Sequence, residues 1–216
     1  MAKITFFPLK YRHERGYDAE AYWKDRFLKH GMSFRGVGNE GFDETRNRLE
    51  YERSLREFQS ALLQAGVDFA GKKVMEIGVG NGFYLNFCAK DSAYYCAVDI
   101  TDALFAELSR RYPEVHFIKA DVCNLNLDEK FDIIIMIDVI EHIVNENDLA
   151  SAMANVKNCL APNGVFILGP VHKRTTKHLF YVHFWSLDVI TKFFQDYHIE
   201  VARPFREGAL LFIRRR

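Results

Sequence analysis

Residues 74–82 read Val-Met-Glu-Ile-Gly-Val-Gly-Asn-Gly. A short apolar run, Val74, Met75 and Ile77, carries a single acid, Glu76, and opens into Gly78, Gly80 and Gly82. An apolar run followed by alternating glycines predicts a buried strand that turns tightly into a helix. Glycine suits that turn because it accepts positive φ and lets a ligand approach the backbone. A second apolar run, Tyr94 to Val98, ends at Asp99, 21 residues past Gly78. That spacing puts a carboxylate where the ribose diol of a nucleoside would lie. The dinucleotide fingerprint requires a third glycine at position 83, but Phe83 stands there and the pattern is G-x-G-x-G. The missing glycine serves helix packing beneath a pyrophosphate, which a nucleoside without phosphates does not need.

Beyond this stretch the pattern alternates. Strands are predicted at 73–78, 94–99, 115–120, 132–137 and 164–169, and near 198–203 and 209–214. Helices are predicted at 82–90, 102–111, 147–160 and 187–196, with Asn81 and Ser186 as N-caps. Pro162 and Gly164 form the turn into strand 164–169. Ile133 to Ile137 is a continuous apolar run, as a central parallel strand buried on both faces requires. The fold class expected is α/β: a doubly wound, seven-stranded, mostly parallel sheet with a C-terminal antiparallel hairpin.

The N-terminal third reads differently. Residues 1–17 are mixed and aromatic (Phe6, Phe7, Tyr11, Tyr17) with no clear period. Residues 18–30 read as a helix with Tyr22, Trp23, Phe27 and Leu28 at helical spacing, and 31–42, with four glycines, as a flexible loop or lid. Residues 43–65 read as a long amphipathic helix with Leu49, Leu55, Phe58, Leu62 and Leu63 on its apolar stripe, stopped at Gly66. This divides the chain into a helical extension or lid, 1–66, and a sheet domain, 67–216.

The glycine turn resembles motif I of class I S-adenosylmethionine-dependent methyltransferases of the small-molecule type, and later segments resemble that family in order. They are Asp99 in AVDI, Asp121 in IKADV, FDIIIMIDVIEHI at 131–143 and LAPNGVFILGP at 160–170. The resemblance spans roughly residues 70–216, and the terminal hairpin is typical of that fold. It implies S-adenosylmethionine as cofactor, leaving S-adenosylhomocysteine as product. Gly78, Gly80 and Gly82 would form its turn, Asp99 would take the ribose and Asp121 the adenine amino group. Ile100 and Val122 would pack on the adenine, Glu76 would help anchor the methionine amino group, and Asp138 would lie near the methionine moiety or the acceptor.

The acceptor side is less constrained. Asp138, Glu141 and His142 make D-x-x-E-H; some relatives carry E-x-x-E-H and bind a divalent metal through it, but the first acid here is the shorter Asp, and no metal is expected. His142 is the first candidate base, against a structural role. His172 in GPVHKR and His183 in YVHFWS are further acceptor-pocket candidates, His183 alternatively being a helix-entry residue. The cationic stretch 172–178 reads as a solvated loop or an anion clamp. Tyr22, Trp23, Arg26, Phe34 and Arg35 are the lid candidates, with simple packing of Tyr22 and Trp23 as the alternative.

Composition narrows the partners. The chain has 216 residues, 49% hydrophobic, with 19 Phe and 10 Tyr, and balances 29 basic against 29 acidic residues. No global field draws it to nucleic acid or an anionic membrane, and no N-P-P-Y-type tetrad follows strand 132–137, where Ile137-Asp138-Val139-Ile140 stands. Cys88, Cys96, Cys123 and Cys159 show no CxxC spacing and are expected to be free thiols in a reducing cytoplasm. No apolar run reaches the ~20 residues of a membrane span. The reading is a cytoplasmic methyltransferase acting on an oxygen or nitrogen of a small-molecule acceptor, with no nucleic acid or membrane partner. A peptide- or protein-modifying methyltransferase, a non-catalytic nucleoside-binding module and an NAD-dependent oxidoreductase are the rivals.

Overall fold

The computed structural model describes residues 10–13 and 16–216; Phe6 and Phe7 lie outside them. Two short pieces, β1 (Arg12–His13) and β2 (Gly16–Tyr17), pair antiparallel and lead into α1 (Ala19–His30). Asp18 caps α1 by accepting from the Ala21 N–H at 2.9 Å. A single turn, α2 (Phe34–Val37), and the long helix α3 (Glu44–Gln64) complete the N-terminal part.

The main sheet is built from β3 (Lys73–Ile77), β4 (Tyr94–Asp99), β5 (His116–Lys119), β6 (Phe131–Ile137), β7 (Leu160–Val171), β10 (Tyr197–Phe205) and β11 (Gly208–Arg215). Its order is β10-β11-β7-β6-β3-β4-β5. Strands β3 to β7 pair in parallel, while β11 runs antiparallel to both β7 and β10. The predicted seven-stranded, mostly parallel sheet with its terminal hairpin is therefore the fold. The chain steps from β3 outward to β5, then returns to the other side of β3 as β6. Its carboxyl ends diverge at that reversal, the place where open α/β sheets hold ligands.

Helices α4 (Leu85–Cys88), α5 (Phe105–Arg111), α6 (Glu146–Cys159) and α7 (Leu187–Phe193) cover the sheet. Alternate β6 residues feed two cores. Ile134 and Met136 pack with Leu149, Met153 and Val156 of α6, while Ile133, Ile135 and Ile137 pack with Phe58, Leu62, Leu85 and Leu108. Helix α3 thus shares a core with the sheet.

Several local expectations are corrected. Leu49 and Leu63 are 56% and 83% exposed; the buried face of α3 is Asn47, Tyr51, Ser54, Phe58, Ala61 and Leu62. Two polar side chains sit in that stripe because each has a partner. Asn47 Oδ1 accepts from the Asn39 N–H and its Nδ2 donates to the Asn39 and Phe42 carbonyls, while Ser54 pairs with the Tyr84 hydroxyl at 2.8 Å. Asn81 is not an N-cap, since its Nδ2 donates to the Met32 carbonyl at 3.1 Å. The cationic stretch does not stay a loop: β8 (Thr176–Leu179) pairs with β9 (Val182–Phe184) as a hairpin. The glycine-rich segment 31–42 is also tied down. Glu44 accepts from the Phe34 and Arg35 N–H groups, and Arg26 donates to the carbonyls of Arg35 and Gly38.

Phe58 is fully buried, so Phe58→Ala should cost about 3–5 kcal/mol, whereas Leu63→Lys should stay within about 0.5 kcal/mol of the wild type. Urea unfolding of the two variants checks the register of α3; equal losses would contradict it.

Candidate functional site

The carboxyl ends of β3, β4 and β6 converge on a cavity of about 500 Å³. Its floor is the turn after β3. Gly78 and Gly80 have φ of +80° and +50°. A side chain at Gly78 would run into Val139, and a Cβ on Gly80 would lie 2.9 Å from Val37. The glycine pattern therefore answers to close packing from two sides as well as to backbone conformation.

Asp99 ends β4 beside this turn. Its Oδ2 accepts from the Gly80 N–H at 3.0 Å and its Oδ1 from the Thr101 N–H at 3.1 Å. Burial pushes its carboxyl up to about 6, against the pull of those backbone donors. Ile100, Asp121 and Val122 line the same side of the cavity. Asp121 also caps the short turn at 122–124, accepting from the Cys123 N–H at 2.9 Å and from Asn124 Nδ2 at 3.0 Å.

The opposite wall comes from the N-terminal part. Tyr17, Asp18, Ala19, Glu20, Trp23 and Phe27 close over the cavity, with Val37 and Tyr51 beside them. Trp23 is the one lid candidate that lines the cavity. Tyr22 is turned away into a cluster of Tyr11, Tyr17 and Tyr181, and its hydroxyl donates to Glu40 at 2.7 Å. Arg26 is buried beside it, donating to the Tyr22 hydroxyl at 2.9 Å and holding the 34–38 turn. Phe34 packs its ring on Tyr51 and Phe83, and Arg35 is exposed. These residues brace the 19–38 segment rather than line the cavity.

At the end of β6, Asp138 has φ +58° and lines the cavity while pairing with Arg206 from the β10–β11 turn. Burial raises its carboxyl despite the guanidinium alongside, which itself remains charged. Glu141 is pushed up to about 8 by burial and the nearby Asp138 charge, and its buried Oε2 has no partner among the described residues. His142 lines the cavity. Its Nδ1 faces the Tyr181 carbonyl at 2.8 Å, so the proton sits on Nδ1 and Nε2 is left as an acceptor. Burial drops the imidazole to about 4, and Trp23 lies edge-on to it at 4.8 Å. Among the described residues no group of three His, Cys, Asp or Glu is placed to hold a metal ion.

Four other sequence candidates lie elsewhere. Gly82 (φ +76°) packs against Leu108. Glu76 points to the α4 side of the sheet, where it accepts from the Tyr95 hydroxyl at 2.8 Å; alternation along β3 sets it opposite Ile77, which lines the cavity. Its carboxyl is pushed up to about 8 by burial. His183 is stacked on Trp185 at 4.0 Å and bonds the Val144 carbonyl. His172 lines a separate groove with Lys173, Arg174 and Arg203. Arg206, Tyr51 and Tyr84 were not legible as site residues. No motif surrounds Arg206, and only the α3 spacing of Asn47, Tyr51 and Ser54 carried a signal for Tyr51.

Residues 75–168 match the family model described as a methyltransferase domain. A probable S-adenosylmethionine-dependent methyltransferase from Mycolicibacterium smegmatis is 29% identical over 49% of this chain and 40% of its own length. A ubiquinone biosynthesis O-methyltransferase from Pasteurella multocida is 26% identical over 61% of this chain and 56% of its own length. The chain therefore spans about half the length of these relatives. Magnesium protoporphyrin IX methyltransferase from Synechocystis PCC 6803, solved with bound S-adenosylmethionine, shares the fold at a TM-score of 0.66 and 16% identity, covering 94% of this chain and 100% of that one. In residues 75–168 the chain matches a methyltransferase domain, and in sequence and fold it is similar to class I S-adenosylmethionine-dependent methyltransferases.

Two predictions test the site. Asp99→Ala should weaken S-adenosylhomocysteine binding at least about tenfold. In the wild type, affinity should fall as pH drops through 6, because protonation removes an acceptor from Asp99; calorimetry across pH reads both. For Glu76, the folded state keeps its proton up to about 8 while the unfolded chain releases it near 4.5. Wild-type stability therefore falls as pH rises between those values. Glu76→Gln should flatten that slope and gain roughly 1–3 kcal/mol over the wild type at pH 8, with cofactor affinity unchanged.

Proposed function

We propose that the chain transfers the methyl group of S-adenosylmethionine to an oxygen or nitrogen of a small-molecule acceptor by in-line displacement. The observation that carries this reading is one cavity joining the nucleoside-side residues Gly80, Asp99, Ile100, Asp121 and Val122 to the acceptor-side residues Trp23, Tyr51, Asp138 and His142. At about 500 Å³, shared between cofactor and acceptor, it favours a small acceptor. The Pasteurella relative, an O-methyltransferase of ubiquinone biosynthesis, supports a small-molecule acceptor by analogy.

The residues present fit the cofactor. Asp99 offers a buried carboxylate to a diol, Ile100 and Val122 offer apolar surface to a purine, and the floor at Gly78 and Gly80 carries no side chain. When bound, S-adenosylmethionine supplies an activated methyl group on a sulfonium centre. The chain's part is then positioning and water exclusion, which bring reacting atoms into attack geometry. Tyr17, Trp23 and Phe27 close the mouth. His142 presents Nε2 as a hydrogen-bond acceptor that orients an O–H or N–H of the acceptor. The ion pair with Arg206 holds Asp138 in place.

Titration calorimetry with S-adenosylmethionine, S-adenosylhomocysteine and NAD is the direct test. Binding of the first two is expected; binding of NAD alone would overturn the reading. Once an acceptor is in hand, His142→Ala should lower kcat about ten- to a hundredfold with S-adenosylhomocysteine affinity within about twofold. Unchanged turnover would remove the imidazole from the mechanism.

A further inference from the structure

A second hollow, a groove of about 560 Å³, lies at the end of β7, one strand beyond the cavity. His172, Lys173 and Arg174 follow β7 into it, Phe184 comes from β9, and Arg203 and Glu207 come from the β10–β11 hairpin. Consecutive residues of that hairpin turn serve the two hollows. Arg206 pairs with Asp138 at the cavity, and Glu207 lines the groove.

The cations of the groove are unemployed. Lys119, Arg206 and Arg214 are each paired with a carboxylate, whereas Lys173, Arg174 and Arg203 make no ion pair among the described residues. Three permanent cations against the one acid, Glu207, leave a surplus of two positive charges in a chain that is neutral overall. The His172 ring packs on Phe184, centres 4.3 Å apart, and its buried Nε2 has no partner among the described residues. A polar atom left so is costly, and an anion at the inner end of the groove would satisfy it.

The frame that carries these side chains is fixed. The His172 N–H donates to the Trp185 carbonyl at 2.9 Å, and the His172 carbonyl accepts from the Leu187 N–H at 3.2 Å. Thr175 Oγ1 accepts from the Ser186 N–H at 3.1 Å and donates to Ser186 Oγ at 3.1 Å. Across the groove, Gly208 approaches β7 so closely that a Cβ there would lie 2.5 Å from the Val171 carbonyl oxygen. Side chains that start from an ordered backbone lose less entropy in converging on a ligand.

Two surplus charges suit a dianion. A phosphate monoester carries about −1.5 to −2 at neutral pH and offers three acceptor oxygens, which guanidinium groups match in bidentate geometry. Val171 and Phe184 add apolar surface for an organic body, and the volume is in the range of small-molecule sites. We propose that this groove is a binding site for a small phosphate monoester, separate from the cofactor cavity, with Lys173, Arg174 and Arg203 holding the phosphoryl oxygens and Phe184 flanking the organic part. The site goes beyond the methyl-transfer reading and does not depend on it.

The test is a matched series, phenyl phosphate, benzoate and phenol, titrated calorimetrically at low and high salt, with and without saturating S-adenosylhomocysteine. Phenyl phosphate is expected to bind at least about tenfold more tightly than the other two, with a preference that shrinks as salt rises and is indifferent to S-adenosylhomocysteine. Arg174 and Arg203 are exposed, so Arg174→Gln combined with Arg203→Gln should leave thermal unfolding and S-adenosylhomocysteine affinity unchanged. The same double variant should weaken phenyl phosphate at least about tenfold. No preference for the phosphate, or a preference that the double variant retains in full, would overturn the proposal. Displacement of phenyl phosphate by S-adenosylhomocysteine would overturn it too, by putting the anion in the cofactor cavity. With vesicles of equal parts phosphatidylserine and phosphatidylcholine, the protein is expected to stay in the supernatant; co-sedimentation that the double variant loses would reassign the cations to a membrane surface and overturn the small-molecule site. Phenyl phosphate binding without any S-adenosylhomocysteine binding would overturn the methyltransferase reading alone.

Discussion

Everything in this molecule is arranged around the reversal of the sheet at β3. Because the chain leaves β3 toward β4 and β5 and later returns as β6 on the other side, two sets of carboxyl-terminal loops part above one strand and leave a gap. The gap is held in shape by one buried carboxylate. Asp99, from the end of β4, accepts the Gly80 N–H of the β3 turn and the Thr101 N–H of its own loop. A buried carboxylate costs free energy unless hydrogen-bonded, so the turn and the strand end cannot drift apart without leaving that charge unsatisfied.

A second buried polar cluster closes the other side. Asp138 leaves β6 in a left-handed conformation and meets Arg206, also left-handed, from the hairpin turn. The Arg206 N–H donates to Glu57 of α3 at 2.7 Å, and its guanidinium lies 4.5 Å from the centre of the Tyr51 ring. A strand end, a hairpin turn and the long helix thus meet at one residue. Over them, α1 is braced by Arg26, whose hydrogen bonds to the backbone of the 34–38 turn leave Trp23 and Phe27 free to face the cavity. Outside the site, among the described residues, no helix is long and apolar enough to cross a membrane.

Much of this was legible in the sequence. Parallel strands buried on both faces read as apolar runs, and the run at 133–137 is a central strand. The glycine turn and the acids Asp99 and Asp121 were found because backbone conformation and strand-end position impose local spacing. Three readings failed for one shared reason, that partners distant in sequence decide them. Leu49 and Leu63 fit a helical stripe, but Asn47, Tyr51, Ser54 and Phe58 form the buried face, where Asn39, Val37 and Tyr84 supply the polar partners. The four-glycine segment reads as loose, yet Arg26, Asn47 and Glu44 hold it. Glu76 sits inside the motif and still points away from the cavity, because strand alternation and the Tyr95 hydroxyl determine its side.

By itself, then, the sequence determined the α/β class, the succession of strands and helices along the chain, the terminal hairpin and the glycine turn and acids that line the cavity, since each follows from local pattern: period, turn chemistry and spacing. Only the tertiary structure decided which histidine reaches the cavity, that Arg206 secures Asp138, and that Lys173, Arg174 and Arg203 line one groove in a chain of zero net charge. These depend on which side chains are brought together from opposite ends of the chain. Packing of the N-terminal helices on the sheet sets that, and no local periodicity encodes it.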